Sequence, residues 1–153
     1  MAKAFSLQPL VHLAQQKHDA ATRKLGQLNQ HHQAARGKLD MLQQYRKDYQ
    51  EKLNNAEKDG MALQELRNFK DFITRLDDAI AQQNALVTQT QLSVERGRSE
   101  LSDTQRRMKS FDTLAKRHVE AEKKIESKLE QKMQDEHSGR HSAYKSIEQG
   151  EDN

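Results

Sequence analysis

Leu53-Asn54-Asn55-Ala56-Glu57-Lys58-Asp59-Gly60-Met61 is the stretch that decides the fold. Neighbouring asparagines weaken a helix, and Lys58-Asp59-Gly60 stops it, with glycine free to take the left-handed backbone of a helix C-terminus. Upstream, one residue set recurs in sevens: Leu7, Ala14, Ala21, Leu28, Ala35, Leu42, Tyr49 and Ala56. A second set, Val11, His18, Leu25, His32, Leu39, Arg46 and Leu53, alternates with it at spacings of three and four. Together they draw one mostly apolar seam down a helix. Downstream, a second ladder runs Phe69, Ile73, Leu76, Ile80, Gln83, Val87, Thr90, Val94, Gly97, Leu101, Thr104, Met108, Phe111 and Ala115. One break between two in-phase ladders predicts an all-α fold: two long helices in an antiparallel coiled-coil hairpin.

Helix one is expected over about 6–56, with Ser6 as N-cap and Pro9 in a first turn where a missing N–H costs little. The turn is expected at about 57–61 and helix two over about 62–136. Residues 1–137 would then form one rod, with 138–153, rich in Ser, Gly and charge, as a disordered or frayed tail. At ~1.5 Å per residue the helices would be about 75 and 110 Å long.

With the turn near Gly60, position i faces a residue close to about 120 − i. Ala35 then lies near Val87, Ala21 between Gly97 and Leu101, and Ala14 near Met108, small against large as close helix packing requires. The polar seam residues also meet, His32 near Thr90 and His18 near Thr104. Such layers cost stability but set register.

Composition agrees with a rod rather than a thick globule. The chain has 153 residues, 33% hydrophobic and 32% charged, with one proline and no cysteine. That apolar content is too small for a wide core but sufficient for a two-helix seam. Sustained heptads argue against disorder, which has no reason to keep apolar residues in phase. Lack of cysteine excludes disulfides and thiolate metal sites. Met1–Leu7 shows no basic segment followed by an apolar stretch, and no run approaches the roughly 18 apolar residues of a membrane span. A soluble, cytoplasmic protein without membrane insertion is expected. Net charge is +3 with mixed signs along the chain, ordinary for a solvated coiled coil and too dilute for a nucleic-acid arm.

Catalysis is not expected. There is no glycine-rich phosphate loop, and two helices offer no cleft for paired carboxylates. His137 and His141 have the spacing of a helical metal clip but no evident third ligand, so neither metal nor cofactor is expected.

Two features look outward. Helix one runs out opposite about residue 114, so Lys116 to about Gln134 overhangs as a single helix still striped with Val119, Ile125, Leu129 and Met133. Such a stripe, interrupted by Glu122, reads either as a frayed helix end or, because it gains little in water, as a docking segment covered by another protein. The second feature is one seam edge, lined by Lys24, His31, Lys38, Tyr45 and Lys52 on helix one and Phe72, Ala79 and Leu86 on helix two. Reading across, Tyr45 meets Phe72 and Lys38 meets Ala79. Beside Leu42, Tyr49, Leu76 and Gln83 the two aromatics make a compact patch that either widens the local core or serves as a recognition site.

The stretches Leu39-Asp40-Met41-Leu42-Gln43-Gln44-Tyr45-Arg46-Lys47-Asp48-Tyr49 and Asn68-Phe69-Lys70-Asp71-Phe72-Ile73-Thr74-Arg75-Leu76-Asp77-Asp78-Ala79-Ile80 resemble the flagellar export protein FliJ family. The resemblance implies an antiparallel coiled coil similar to the γ-subunit stalk of rotary ATPases, in the flagellar type III export apparatus. Its implied partners are the hexameric export ATPase, the cytoplasmic region of the export-gate membrane protein, and export chaperones, which the stalk would escort. The implied gate-binding surface falls on Leu42, Tyr45, Tyr49, Phe72, Leu76 and Ala79. Lys38 and Gln83 complete it but depart from the family pattern, standing where glutamine and histidine are familiar. The implied ATPase-docking end is formed by the termini and agrees with the overhang carrying Val119, Ile125, Leu129 and Met133. The expectation is a non-enzymatic coupling stalk, monomeric in isolation and peripheral at the inner membrane through the apparatus. The alternative is an unrelated cytoplasmic coiled-coil adaptor or homodimeric scaffold.

Overall fold

The computed structural model describes residues 7–150, nearly all of them in two helices, α1 Gln8–Asp59 and α2 Leu63–Gly150. The fold is the all-α helical hairpin that the ladders predict. At the start of α1 the Leu10 and Val11 N–H groups donate to the Leu7 carbonyl at 2.9 and 3.0 Å, and Pro9 sits where no such donor is needed. Ser6, the expected N-cap, lies outside the described residues.

Helix α1 outlasts its expected end because Asn54 and Asn55 cost only a fraction of a kcal/mol each. Leu53 beside them is 4% exposed, and its burial outweighs that cost. The stop comes at Gly60, whose φ of +83° only glycine adopts without strain. The turn is therefore residues 60–62, centred on Met61. Lys58 in the last turn of α1 and Glu65 in the first turn of α2 suit the two helix dipoles.

The tail expected over 138–153 is corrected: α2 continues through Ser138-Gly139-Arg140 to Gly150. One exposed glycine costs about 1 kcal/mol relative to alanine, which flanking helix formers absorb once the helix is propagating. Residues 151–153 lie outside the described region.

Packing divides the single rod expected over 1–137 into two units. One is 16–105; the other joins the chain up to Gln15 with the chain from Arg106 onward. In the larger unit the register is legible from polar contacts. His18 Nδ1 lies 3.3 Å from Thr104 Oγ1 and His32 Nδ1 lies 2.9 Å from Thr90 Oγ1, so position i faces 122 − i. Each threonine hydroxyl already donates to its own helix, to the carbonyls of Leu101 at 2.7 Å and Val87 at 2.9 Å. The imidazole must then be the donor, which selects the Nδ1–H tautomer at both layers. A slip of one heptad would set His18 and His32 against other seam residues and leave both hydroxyls without their donors. The alternation of polar and apolar layers thus penalises the nearest wrong register.

Between the histidine layers, Gly97 lets α1 come close. A Cβ there would lie 2.8 Å from Leu28 Cδ1 and 3.3 Å from Leu25 Cδ1. Val94, Ile73 and Leu76 are buried in the same seam, with Ala21 and Ala35 opposite. In the smaller unit, Val11 and buried Ala14 share a shallow cleft with Met108, Phe111 and Ala115.

Candidate interaction surfaces

Every antiparallel helix pair has two edges, each flanking the seam. In the unit 16–105 one edge, called here the g edge, is built by Lys17, Lys24, His31, Lys38, Tyr45 and Lys52 of α1. Across from them stand Phe72, Ala79, Leu86, Ser93 and Glu100 of α2. An ion pair between Lys24 Nζ and Glu100 Oε2 at 3.1 Å aligns the two rows. Counting in heptads from that pair, Lys38 is level with Leu86, Tyr45 with Ala79, and Lys52 with Phe72. The expected pairings of Tyr45 with Phe72 and Lys38 with Ala79 are corrected by one heptad. The physical reason is the turn: centring it on Met61 shifts the facing register by two residues, and the rows then match at the next repeat.

Phe72 instead packs on Tyr49, with ring centroids 4.3 Å apart, and Tyr49 also meets Phe69 at 6.1 Å. The Lys52 ammonium sits 5.2 Å from the Tyr49 centroid. Farther along, His31, Lys38 and Leu86 line a shallow cleft of about 350 Å³ floored by Ala35, Gln83 and Thr90. The floor is low because Ala35 offers only a methyl.

The residues read from sequence as one surface separate into three depths. Lys38, Tyr45 and Phe72 are exposed, the two rings at 50% and 38%. Leu42, Tyr49 and Ala79 are half-buried. Leu76 and Gln83 lie inside the seam, Gln83 only 6% exposed with its amide donating to the Ala35 carbonyl at 2.8 Å. These two hold the flank up from beneath: Leu76 lies within the seam, and Gln83 offers a partner only part of the cleft floor. Two exposed apolar side chains on this edge lie outside the implied gate-binding set: Leu86, which the sequence already placed on the edge, and Met41, which it did not. The signal for Met41 was available: it stands three residues from Lys38 and four from Tyr45 on one helix face.

The opposite edge, the e edge, carries Thr22, Asn29, Arg36, Gln43 and Gln50 of α1 and Asp77, Asn84, Gln91 and Arg98 of α2. Arg46 occupies a seam position, but its guanidinium leaves the seam to meet the Asp77 carboxylate there. The hydrogen bond from Arg46 to Asp77, then their Coulomb attraction, raises the guanidinium pKa above its already high ordinary value.

The smaller unit presents a different surface. Val119, Ile125, Leu129 and Met133 are all more than half exposed, and Glu122 among them is half-buried. Tyr144 and Ile147 are equally open and were missed because that segment read as frayed. At 100° per residue, Phe111, Ala115, Ile125, Leu129, Met133, Tyr144 and Ile147 fall within a sector of about 100°. The face that α1 covers at Phe111 and Ala115 therefore continues uncovered along α2.

Among the described residues there is no group of three or more potential metal ligands, and no helix is long and apolar enough to cross a membrane. No buried side-chain polar atom lacks a hydrogen-bond partner there, so the seam leaves no orphaned group that asks for a ligand.

Fold and surfaces define a class: an antiparallel helical-hairpin protein whose distinctive residues form exposed contact surfaces. The family model of the flagellar FliJ protein matches residues 3–146, and the chain belongs to the FliJ family. It is accordingly a component of the flagellar type III protein export apparatus. A solved structure described as a YscO homolog, CT670, from Chlamydia trachomatis is similar at a TM-score of 0.66. The likeness covers 93% of this chain and 97% of that one at 17% identity, a similarity of fold. No curated protein matches the chain.

Proposed function

We propose that this protein is a non-enzymatic coupling stalk of the export apparatus, cytoplasmic and held at the inner membrane only through its partners. Its terminal unit docks in the hexameric export ATPase. The g edge contacts the cytoplasmic region of the export-gate membrane protein, and the same molecule escorts unloaded export chaperones. Family membership supports the setting. The observation that carries the ATPase assignment is the uncovered apolar face of Ile125, Leu129 and Met133, with Val119 at its margin, which continues the face that α1 partly covers at Phe111 and Ala115. A helix keeps such a face at a cost in water, and a ring of partner subunits would remove that cost. For the gate contact the support is Tyr45 and Phe72, aromatic side chains held exposed beside a cationic row.

The test is capture of the export ATPase on the immobilised full chain. Truncation after residue 115 should abolish capture, whereas Tyr45→Ala plus Phe72→Ala should leave it intact and weaken binding of the gate's cytoplasmic region by about tenfold. Retained ATPase capture by the truncated chain would refute the docking assignment. A doubled solution mass for the isolated protein would favour the homodimeric scaffold.

A further inference from the structure

The g edge is asymmetric in a way its role in folding does not require. Its α1 side is a cationic row, Lys17, Lys24, Lys38 and Lys52 at multiples of seven, with His31 between. Its α2 side is an apolar row, Phe72, Ala79 and Leu86, also in sevens. Across the edge Glu100 engages Lys24, and the other carboxylate of that row, Glu65, lies one heptad beyond Phe72 in the first turn of α2. Lys38 has no carboxylate partner among the described residues, and Lys52 rests on the Tyr49 ring. Asp71 and Asp78 lie a quarter-turn around α2 from this row, and Asp48 is held by the Gln44 amide at 3.0 Å. Four of the six large apolar side chains left exposed in this unit, Met41, Tyr45, Phe72 and Leu86, sit on this edge.

We infer that the g edge seats an acidic amphipathic helix of a partner protein. The helix lies along the groove with its apolar side on the Phe72–Leu86 row and its carboxylates toward Lys38 and Lys52. Two parallel rows with a seven-residue repeat match a third helix better than an extended peptide, whose side chains repeat every two residues. Cations on one side only prescribe which way that helix faces. The cleft between Lys38 and Leu86, floored by Ala35 and Gln83, takes one apolar anchor. This inference rests on the reading of the g edge as the gate-contacting surface, and it names the chemistry of the segment contacted there.

The experiment titrates the full chain against a fluorescent synthetic peptide of about four helical turns, with leucines in heptad spacing and glutamates flanking them. Companion peptides carry glutamine or lysine in place of glutamate. The glutamate peptide should bind, the glutamine peptide about tenfold more weakly, and the lysine peptide not saturably. Lys38→Glu plus Lys52→Glu should reverse that order, and Leu86→Ser should weaken the glutamate peptide by about fivefold. Arg36→Glu plus Arg98→Glu on the e edge should change binding by less than about twofold. Circular dichroism verifies that each variant keeps its helicity. Equal binding of the glutamate and glutamine peptides, or equal sensitivity to reversal on the e edge, overturns the inference. So does titration by phosphatidylglycerol vesicles with no peptide bound, which would assign the lysines to a membrane surface. The two readings fail separately. A gate fragment lost on Phe72→Ala but indifferent to the lysine reversal sinks the acidic helix alone. A peptide that binds as described, without competition from the gate fragment, sinks the gate assignment alone.

Discussion

The two edges of the hairpin flank one seam and rest on the same buried residues, yet their chemistry has diverged. The e edge is amide-rich, carries one exposed ion pair, and has only Leu63 at the start of α2 and Leu92 beside Gln91 as exposed large apolar side chains. The g edge combines a lysine row with exposed rings and leucine. A coiled coil needs small or polar residues on its edges for solubility, and the e edge meets that need. Apolar groups left in water add little to folding, which is why the g edge is the surface proposed to meet a partner. Depth separates Leu76 and Gln83, buried and holding the fold, from Tyr45 and Phe72, exposed where the proposed gate contact would use them.

The sharpest test of that division is Leu76→Ala. Removing a buried leucine from beneath the flank should lower unfolding stability by about 2–4 kcal/mol in urea titration. A loss no larger than that of an edge substitution would erase the distinction between seam and edge. Gln83→Ala comes next, at about 1–2 kcal/mol, because it deletes the buried amide bond to the Ala35 carbonyl while that carbonyl keeps its helical partner. If gate binding falls much further than stability does, Gln83 belongs to the contact surface after all.

Edge substitutions should cost less still. Tyr45→Ala plus Phe72→Ala forfeits the ring pair with Tyr49, about 0.5–1.5 kcal/mol, and leaves helicity unchanged in circular dichroism. A collapse of helicity would return those rings to the core. Smallest of all, Asp77→Asn on the e edge should leave the melting temperature nearly unmoved, since the pair is exposed and screened. The sign of its pH dependence is also set. The Arg46 pKa is raised, so its contribution is present at neutral pH and is lost as pH climbs past the guanidinium range. Stability should therefore show no titration from this pair near neutrality, checked by melting curves across that range.

Much of the fold was legible along the chain because heptads report directly which face of a helix is buried. The meetings of His18 with Thr104 and His32 with Thr90 followed from the turn's position alone and stand in the structure. The edge was harder to read. Locating the turn at Gly60 rather than Met61 displaces the facing register by only two residues, which the seam tolerates, since its next repeat lies three or four away. On the edges the repeat is seven, so the same offset selected the wrong partner for Tyr45 and Lys38. Helix α2 beyond residue 137 was missed for another reason: propensity penalises Ser138 and Gly139 singly, whereas propagation is cooperative over many residues.

The amino-acid sequence by itself determined that this protein is two helices, where the chain reverses, and which residues face inward, because each depends on local periodicity and one glycine. Only the tertiary structure decided that Phe72 stacks on Tyr49, that Gln83 turns inward to Ala35, and that Leu86 rather than Ala79 stands across from Lys38. Those contacts depend on the axial level of one helix against the other to within a residue or two. That level is set by the seam as a whole, from its turn geometry, its small residues and its polar layers together.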